Sequence, residues 1–233
     1  VWFTVEWDEK TYNTTLTVNR SGKTEEGSDM NSSVVKDDIF GWFKKAYLMY
    51  SEEEVPYLYV EIGMDNDWEK LEIVRLAETE TESDMKYIGG TRNAIYGHFV
   101  SDPKQFALYD RVDVLGTYMG FKHYSVGEDG MPVTEDEMYR IANTYFKWEY
   151  ALISKKDLNV TIHVEGSEEK VEEKLPKGTK FRPYMTDGTS VIVMELEDGR
   201  YCDIPVEKKP DEYFFYINDI SEYDLFENLP YAG

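Results

Sequence analysis

Residues 174–207, KLPKGTKFRPYMTDGTSVIVMELEDGRYCDIPVE, decide the fold class of this chain. Three apolar runs are separated by Lys177-Gly178, Asp187-Gly188 and Asp198-Gly199. An Asp-Gly pair supplies the positive φ that tight hairpin turns need, so the two such pairs delimit one strand between them. That strand, Ser190–Glu197, alternates and buries one face. Lys180-Phe181-Arg182-Pro183-Tyr184 before it and Arg200-Tyr201-Cys202-Asp203-Ile204-Pro205-Val206 after it complete a three-stranded antiparallel meander.

The rest of the chain reads the same way. Val1–Trp7 and Tyr12–Val18 alternate around Asp8-Glu9-Lys10-Thr11, which predicts an opening hairpin. Tyr57–Ile62 and Trp68–Leu76 form a second hairpin across Gly63–Asp67. Met85–Ile88 and Ala94–Val100 are expected to pair across Gly89–Asn93, and Phe106–Leu115, Tyr118–Val126, Trp148–Ser154 and Asn159–Glu165 read as further strands. Three short helices are expected. Over Val34–Tyr50, Ile39, Trp42, Phe43, Ala46, Tyr47 and Tyr50 recur at three- and four-residue spacing, starting near Asp37-Asp38. Thr134 with Glu137 has the form of a capping box before Glu135–Asn143. Asp219–Leu229 supplies one or two closing helical turns. The expected architecture is mainly β, with antiparallel meander sheets and few helices. Residues 1–147 form an N-terminal β-rich domain, and 148–233 form a small C-terminal barrel.

Composition bounds the function. With 41% hydrophobic and 15% aromatic residues the chain fills a core, which excludes global disorder despite 31% charged residues. Lys and Arg number 25 against 47 Asp and Glu, giving −22, and such a surface repels phosphate backbones. Nucleic acid is therefore not an expected partner, whereas neutral glycans, divalent cations and positive proteins remain compatible. No run approaches the roughly 20 apolar residues that cross a bilayer. The single cysteine, Cys202, rules out an intramolecular disulfide and reads as a packed thiol in a strand. The chain opens at Val1 without a charged-then-apolar leader, which suggests that its native start has been removed.

Leu152–Val206, closed by the helical turn before the C-terminus, resembles a bacterial Src-homology-3-like barrel. Tyr57-Leu58-Tyr59-Val60-Glu61 with Asp65-Asn66-Asp67, Tyr124–Val133 and the ending Leu229-Pro230-Tyr231-Ala232-Gly233 resemble uncharacterised exported, often lipoprotein-type, proteins of Gram-positive anaerobes. That resemblance implies an extracytoplasmic, cell-surface or secreted location, with a lipid anchor in a segment ahead of Val1. It carries no residue roles.

No residue is assigned a catalytic, cofactor-binding or metal-binding role. Asp65-Asn66-Asp67-Trp68-Glu69 begins like a calcium loop, but Lys70 and Leu76 stand where that loop needs Gly and Glu. Glu128-Asp129-Gly130 with Asp136 is an equally weak oxygen cluster. His98, His123 and His163 lack the i, i+4 spacing of a helical zinc site. There is no Gly-x-Ser-x-Gly elbow and no phosphate loop, and Gly89-Gly90 reads as a turn. Paired carboxylates for glycoside hydrolysis are too numerous to single out, and Glu61 is the first to inspect, with an outward-facing strand residue as the plainer alternative. The five tryptophans are expected mainly in the core, with a sugar-stacking platform as the alternative. The expectation is a non-enzymatic extracytoplasmic protein that binds an envelope glycan or protein and needs no cofactor. A carbohydrate-active hydrolase using two carboxylates is the alternative.

Overall fold

The computed structural model describes residues 1–23, 29–65, 68–76, 85–97, 100–142, 147–164 and 169–231, with backbone alone at 29 and 30. It is 62% strand and 4% helix, with antiparallel sheets. Two compact units emerge: Val1–Tyr109 with His123–Glu135, and Asp110–Lys122 with Asp136–Gly233.

The first unit opens with β1 (Trp2–Asp8), β2 (Asn13–Lys23) and β3 (Asp29–Phe40), which form one sheet. A second sheet runs β4 (Trp42–Tyr50), β5 (Pro56–Gly63), β6 (Glu69–Arg75), β7 (Lys86–Thr91). Leu16, Val18 and Ile39 from the first sheet pack on Leu58, Val60, Ile62 and Val74 from the second. The other face of the second sheet carries Tyr57, Tyr59, Leu71 and Ile73. These pack against Ile95 of β8 (Ala94–Ile95), Phe106 and Leu108 of β9 (Gln105–Asp113), and Val126 of β10 (Thr117–Val126). β5 is thus covered on both faces, which is why Tyr57–Ile62 is an almost continuous apolar run rather than an alternating one. β11 (Pro132–Val133) pairs with the end of β10.

The helix expected over Val34–Tyr50 is instead the end of β3 and all of β4. Ala46 packs on one face of β4 and Tyr47 on the other, so apolar positions spaced by three and four arise from a strand with two covered faces. Asp37 and Asp38, the expected helix start, stand opposite Thr15 alone, a β-bulge with Asp38 at φ 54°. Gly41, at φ 114°, then turns the chain out of one sheet into the other. Met85–Ile88 and Ala94–Val100 are not partners either: β7 pairs with β6, and β8 pairs with β9.

The second unit adds β12 (Tyr139–Ile141), a 3-10 turn at Trp148–Tyr150, β13 (Leu152–Ser154), β14 (Leu158–His163), β15 (Lys170–Leu175), β16 (Lys180–Thr186), β17 (Val191–Leu196) and β18 (Tyr201–Pro205). After these come β19 (Glu207–Lys208), β20 (Phe215–Ile217), β21 (Ile220–Ser221), α1 (Glu222–Leu225) and β22 (Phe226–Glu227). The expected meander is β16-β17-β18, with Gly188 at φ 85° and Gly199 at φ 82° in its two turns. β14 and then β15 extend it beyond β18. On its other edge β16 pairs with β12 at Met185 and Thr186 and with β13 at Lys180 and Phe181.

Among the described residues none of the sheets closes into a barrel. The helix expected over Glu135–Asn143 is displaced by β12, which pairs with both β10 and β16, so sheet pairing overrides the capping signal; Asn143 itself lies outside the described residues. The closing helical turn is present as α1, where the Ser221 hydroxyl accepts the Tyr223 N–H.

Inward-facing Phe181, Ile192, Met194, Leu196, Cys202, Ile204, Val160 and Ile162 meet Phe226 and Leu225 in one core. Phe181 and Phe226 contact edge to face at 5.7 Å. Burying each such ring contributes roughly 1.5–3 kcal/mol.

Candidate functional site

Two groups of polar and aromatic side chains stand out, one in each unit. In the first unit Glu61 is not an outward-facing strand residue but is 3% exposed. The sheet register places Glu61 opposite Leu71 and Glu69 opposite Gly63, so both carboxylates share one face. Lys44, the extra residue of a bulge in β4, reaches both: its Nζ lies 3.8 Å from Glu61 Oε1 and in close contact with Glu69. Burial raises the Glu69 pKa. The Tyr47 hydroxyl donates to Glu61 Oε2 at 3.4 Å, and burial together with that carboxylate pushes it up to about 12. Beside them Trp42 lies over Gly63, where an added Cβ would stand 2.8 Å from the indole. Glu72, also buried, is opposite Val60 and therefore faces the other side of the sheet, bound to the Tyr87 hydroxyl at 2.5 Å and Lys70 at 3.0 Å. Glu61 and Glu72 therefore cannot act as an acid–base pair.

In the second unit the outward face of the meander carries an in-register row: Arg182, Glu195, Tyr201, His163, Lys170. Arg182 Nε donates to Glu195 Oε2 at 2.9 Å, while its guanidinium lies 5.0 Å from the Trp148 ring. The His163 ring stacks on Tyr201 at 5.9 Å. In the next row Asp203 holds His163 Nε2 at 2.9 Å and Lys170 Nζ at 2.6 Å, which fixes the orientation of the imidazole. A bulge between Pro183 and Met185 inserts Tyr184, whose ring lies 4.7 Å from Tyr201 and 5.8 Å from the Arg140 guanidinium. Bulges re-aim side chains, and this one turns Tyr184 onto the row. The result is a partly exposed strip of four rings, flanked by guanidinium and carboxylate groups whose charges are matched. Such a strip can stack on flat ligand surfaces and hydrogen-bond along their edges.

The other residues singled out by the sequence lie elsewhere. Asn66, Asp67 and His98 lie outside the described residues. The Glu128-Asp129-Gly130 oxygens are engaged in building a turn. Asp129 Oδ1 accepts the Met131 N–H at 2.9 Å, and the Gly130 carbonyl accepts the Tyr59 hydroxyl at 2.7 Å. His123 lines a cavity in the first unit with Ser101, Asp102 and Phe106. There Asp102 Oδ1 accepts the Lys104 N–H at 2.9 Å rather than orienting a catalytic histidine. Cys202 is fully buried opposite Met194 and Ile162, and burial pushes its thiol up to about 12, so it is an inert packed thiol. Gly89 and Gly90 lie inside β7 rather than in a turn.

The tryptophans overturn the core expectation. Trp2, Trp7, Trp42 and Trp68 are 40–50% exposed, and Trp148 is only partly buried. Sequence reasoning also missed Tyr184, Trp148 and Arg140 as neighbours. The one local signal was Pro183, which cannot donate to the ladder and so marks the bulge. Among the described residues no group of three or more His, Cys, Asp or Glu side chains is placed to hold a metal ion. No family model, curated protein or solved structure matches this chain.

Proposed function

We propose that this protein is a non-enzymatic, extracytoplasmic binding protein of the bacterial cell envelope. In this reading it engages an extended envelope glycan along the outward face of the second unit. The observation that carries the reading is the ring strip of Tyr184, Tyr201 and His163 on a sheet face, with Arg140 beside Tyr184 and His163 bonded to Asp203. Aromatic faces stack on sugar rings, and matched edge charges hydrogen-bond hydroxyl groups without needing a charged ligand. A net charge of −22 argues against polyanionic partners and leaves neutral glycans favoured. The extracytoplasmic placement rests on the resemblance to exported proteins. The run of strands β22-β13-β16-β17-β18-β14-β15 supports reading the second unit as a Src-homology-3-like module that is open between β15 and β22. The test is retention on purified cell-wall glycan, with Tyr184→Ala and Tyr201→Ala as variants. Loss of retention in both, with melting temperature preserved, supports the reading. Retention unchanged in both, or absent in the parent protein, removes it and moves the assignment to a protein partner.

A second reading, a carbohydrate-active hydrolase, rests on Glu61 and Glu69 sharing Lys44 beside the exposed Trp42. Carboxylates in unlike environments can divide the acid and base roles. Release of reducing ends from a glycan, reduced ~10²–10⁴-fold in Glu69→Gln and Glu61→Gln, would establish it. No release from any glycan that the protein retains would exclude it.

A further inference from the structure

A cavity of about 470 Å³ opens in the second unit, with Arg111, Tyr139, Gly188, Lys208 and Phe215 in its lining and none of the four rings of the strip among them. Two of its lining residues are aromatic. Phe215 is 3% exposed and belongs to the core, and Tyr139 packs against the same core. Its rim is the Asp187-Gly188 turn. Gly188, at φ 85°, is a position that other residues adopt only with strain, and a Cβ there would stand 3.8 Å from the Tyr139 ring. A glycine at this point keeps the mouth open over that ring.

The two carboxylates of the cavity are already engaged. Asp187 Oδ1 accepts the N–H groups of Thr189 and Ser190 at 2.8 Å and of Val191 at 3.1 Å, and Oδ2 accepts the Ser190 hydroxyl. Asp113 Oδ1 accepts Arg111 Nε at 3.0 Å and the Thr117 hydroxyl at 2.8 Å. Its two cations keep donors to spare, although the Lys208 charge also acts on the buried Glu222 carboxylate. The Arg111 guanidinium uses Nε for Asp113, and among the described residues no ion pair or hydrogen bond takes its terminal nitrogens. The Lys208 ammonium lies 5.5 Å above the Phe215 ring, directly across the strand pair, and among the described residues no carboxylate lies within 4 Å of it. The strongly acidic surroundings are screened over about 8–10 Å at physiological salt, so the local donors dominate.

We propose that this cavity binds a small carboxylate with a flat apolar body. The carboxylate takes the terminal nitrogens of Arg111 and the ammonium of Lys208, and the body lies against the Tyr139 ring and the exposed edge of Phe215. Planar guanidinium groups match carboxylate geometry with two parallel donors, and a volume in the range of roughly 300–1,000 Å³ suits a ligand of this size.

The probe is 3-phenylpropionate, with its neutral amide as control, titrated into the full chain by calorimetry and by backbone-amide NMR. The carboxylate is expected to bind, with shifts centred on Gly188 and Phe215, and the amide at least about tenfold more weakly. Arg111→Gln and Lys208→Gln should each weaken binding about tenfold or more. Arg111→Lys, which keeps the charge and loses the planar fork, should fall between. Equal binding of acid and amide, no binding of either, or unchanged binding in the Arg111→Gln/Lys208→Gln double variant overturns the assignment. Competition by inorganic phosphate at equal concentration also overturns it, since that would show an anion hole indifferent to the ligand body. Arg111 and Lys208 are solvent-facing, so the variants are expected to keep the parent melting temperature, and any that does not is replaced by Arg111→Lys in the comparison.

Discussion

Gly41 and Gly63 approach so closely that a Cβ added to Gly41 would overlap the Gly63 carbonyl oxygen and stand 2.8 Å from Ile62 Cγ2. Gly41 is also the residue at φ 114° where the chain leaves the first sheet for the second, and its carbonyl accepts the buried Thr14 hydroxyl at 2.5 Å. Gly41→Ala therefore combines backbone strain with a steric clash against backbone, which cannot rotate away. A loss of more than about 2 kcal/mol in urea unfolding is expected. A loss below about 0.5 kcal/mol would mean that the two sheets accommodate a side chain at their junction.

That glycine also shows where the sequence misleads. Read alone, Gly41 weakens a helix over Val34–Tyr50; in the fold it is the hinge between two strands. The three- and four-residue spacing around it came from β4, whose Ala46 and Tyr47 serve opposite cores, so no period of two survived. Where one face only is buried the alternation is intact, and β16, β17 and β18 were legible to within two residues, together with both Asp-Gly turns. The ring strip was less legible. Tyr201, Glu195 and Arg182 lie 6 and 13 positions apart in the chain, and only the hairpin register makes them a row. Tyr184 joins it through a bulge that no periodicity announces. Glu61 was identifiable as a residue to inspect, but its partner Lys44 sits in the segment misread as helix.

The Tyr59 hydroxyl, in a fully buried side chain, donates to the Gly130 carbonyl at 2.7 Å and so ties β5 to the turn after β10. Tyr59→Phe leaves that carbonyl without its donor. The expected cost is ~1–2 kcal/mol in urea unfolding, with the amide of Gly130 exchanging faster in native-state hydrogen exchange. Unchanged stability together with unchanged exchange would show that water replaces the hydroxyl.

Glu222 is 2% exposed, with Oε1 accepting the Phe215 N–H at 3.1 Å. Burial raises its pKa above 4.5, against weaker lowering influences from Phe215, Gly116, Tyr231 and Lys208. Between 4.5 and the raised folded value the native state keeps a proton that the unfolded chain has released, so stability falls as pH rises through that window. Glu222→Gln retains an acceptor for Phe215 and removes the charge. It should be more stable than the parent at pH 7 and flatten the decline above pH 4.5. A variant less stable than the parent at pH 7 would assign the carboxylate a favourable ionic role.

Asp187 titrates with the opposite sign. Burial pushes its carboxyl up, but the Ser190 hydroxyl and the N–H groups of Ser190, Thr189 and Val191 outweigh it and hold the pKa well below 3.8. Its contribution is therefore complete above 3.8 and is lost as pH falls through the depressed folded value. The side chain also shapes the β16–β17 turn on which Gly188 sits, so its loss should loosen the cavity rim as well as the fold. Asp187→Ala is expected to cost ~1–2 kcal/mol at pH 7, from the loss of several donors to one charged acceptor in a largely accessible turn. Near pH 2 the difference from the parent should shrink, because the unfolded parent chain then holds a proton on Asp187 that folding must displace, whereas the variant has no carboxyl to titrate. Parallel urea titrations of the parent, Asp187→Ala and Glu222→Gln across pH 2–8 separate the two groups. The Asp187 variant should converge on the parent in acid and the Glu222 variant should diverge from it towards neutrality. Convergence of both at the same end would mean that one of the two carboxyls is not the group titrating.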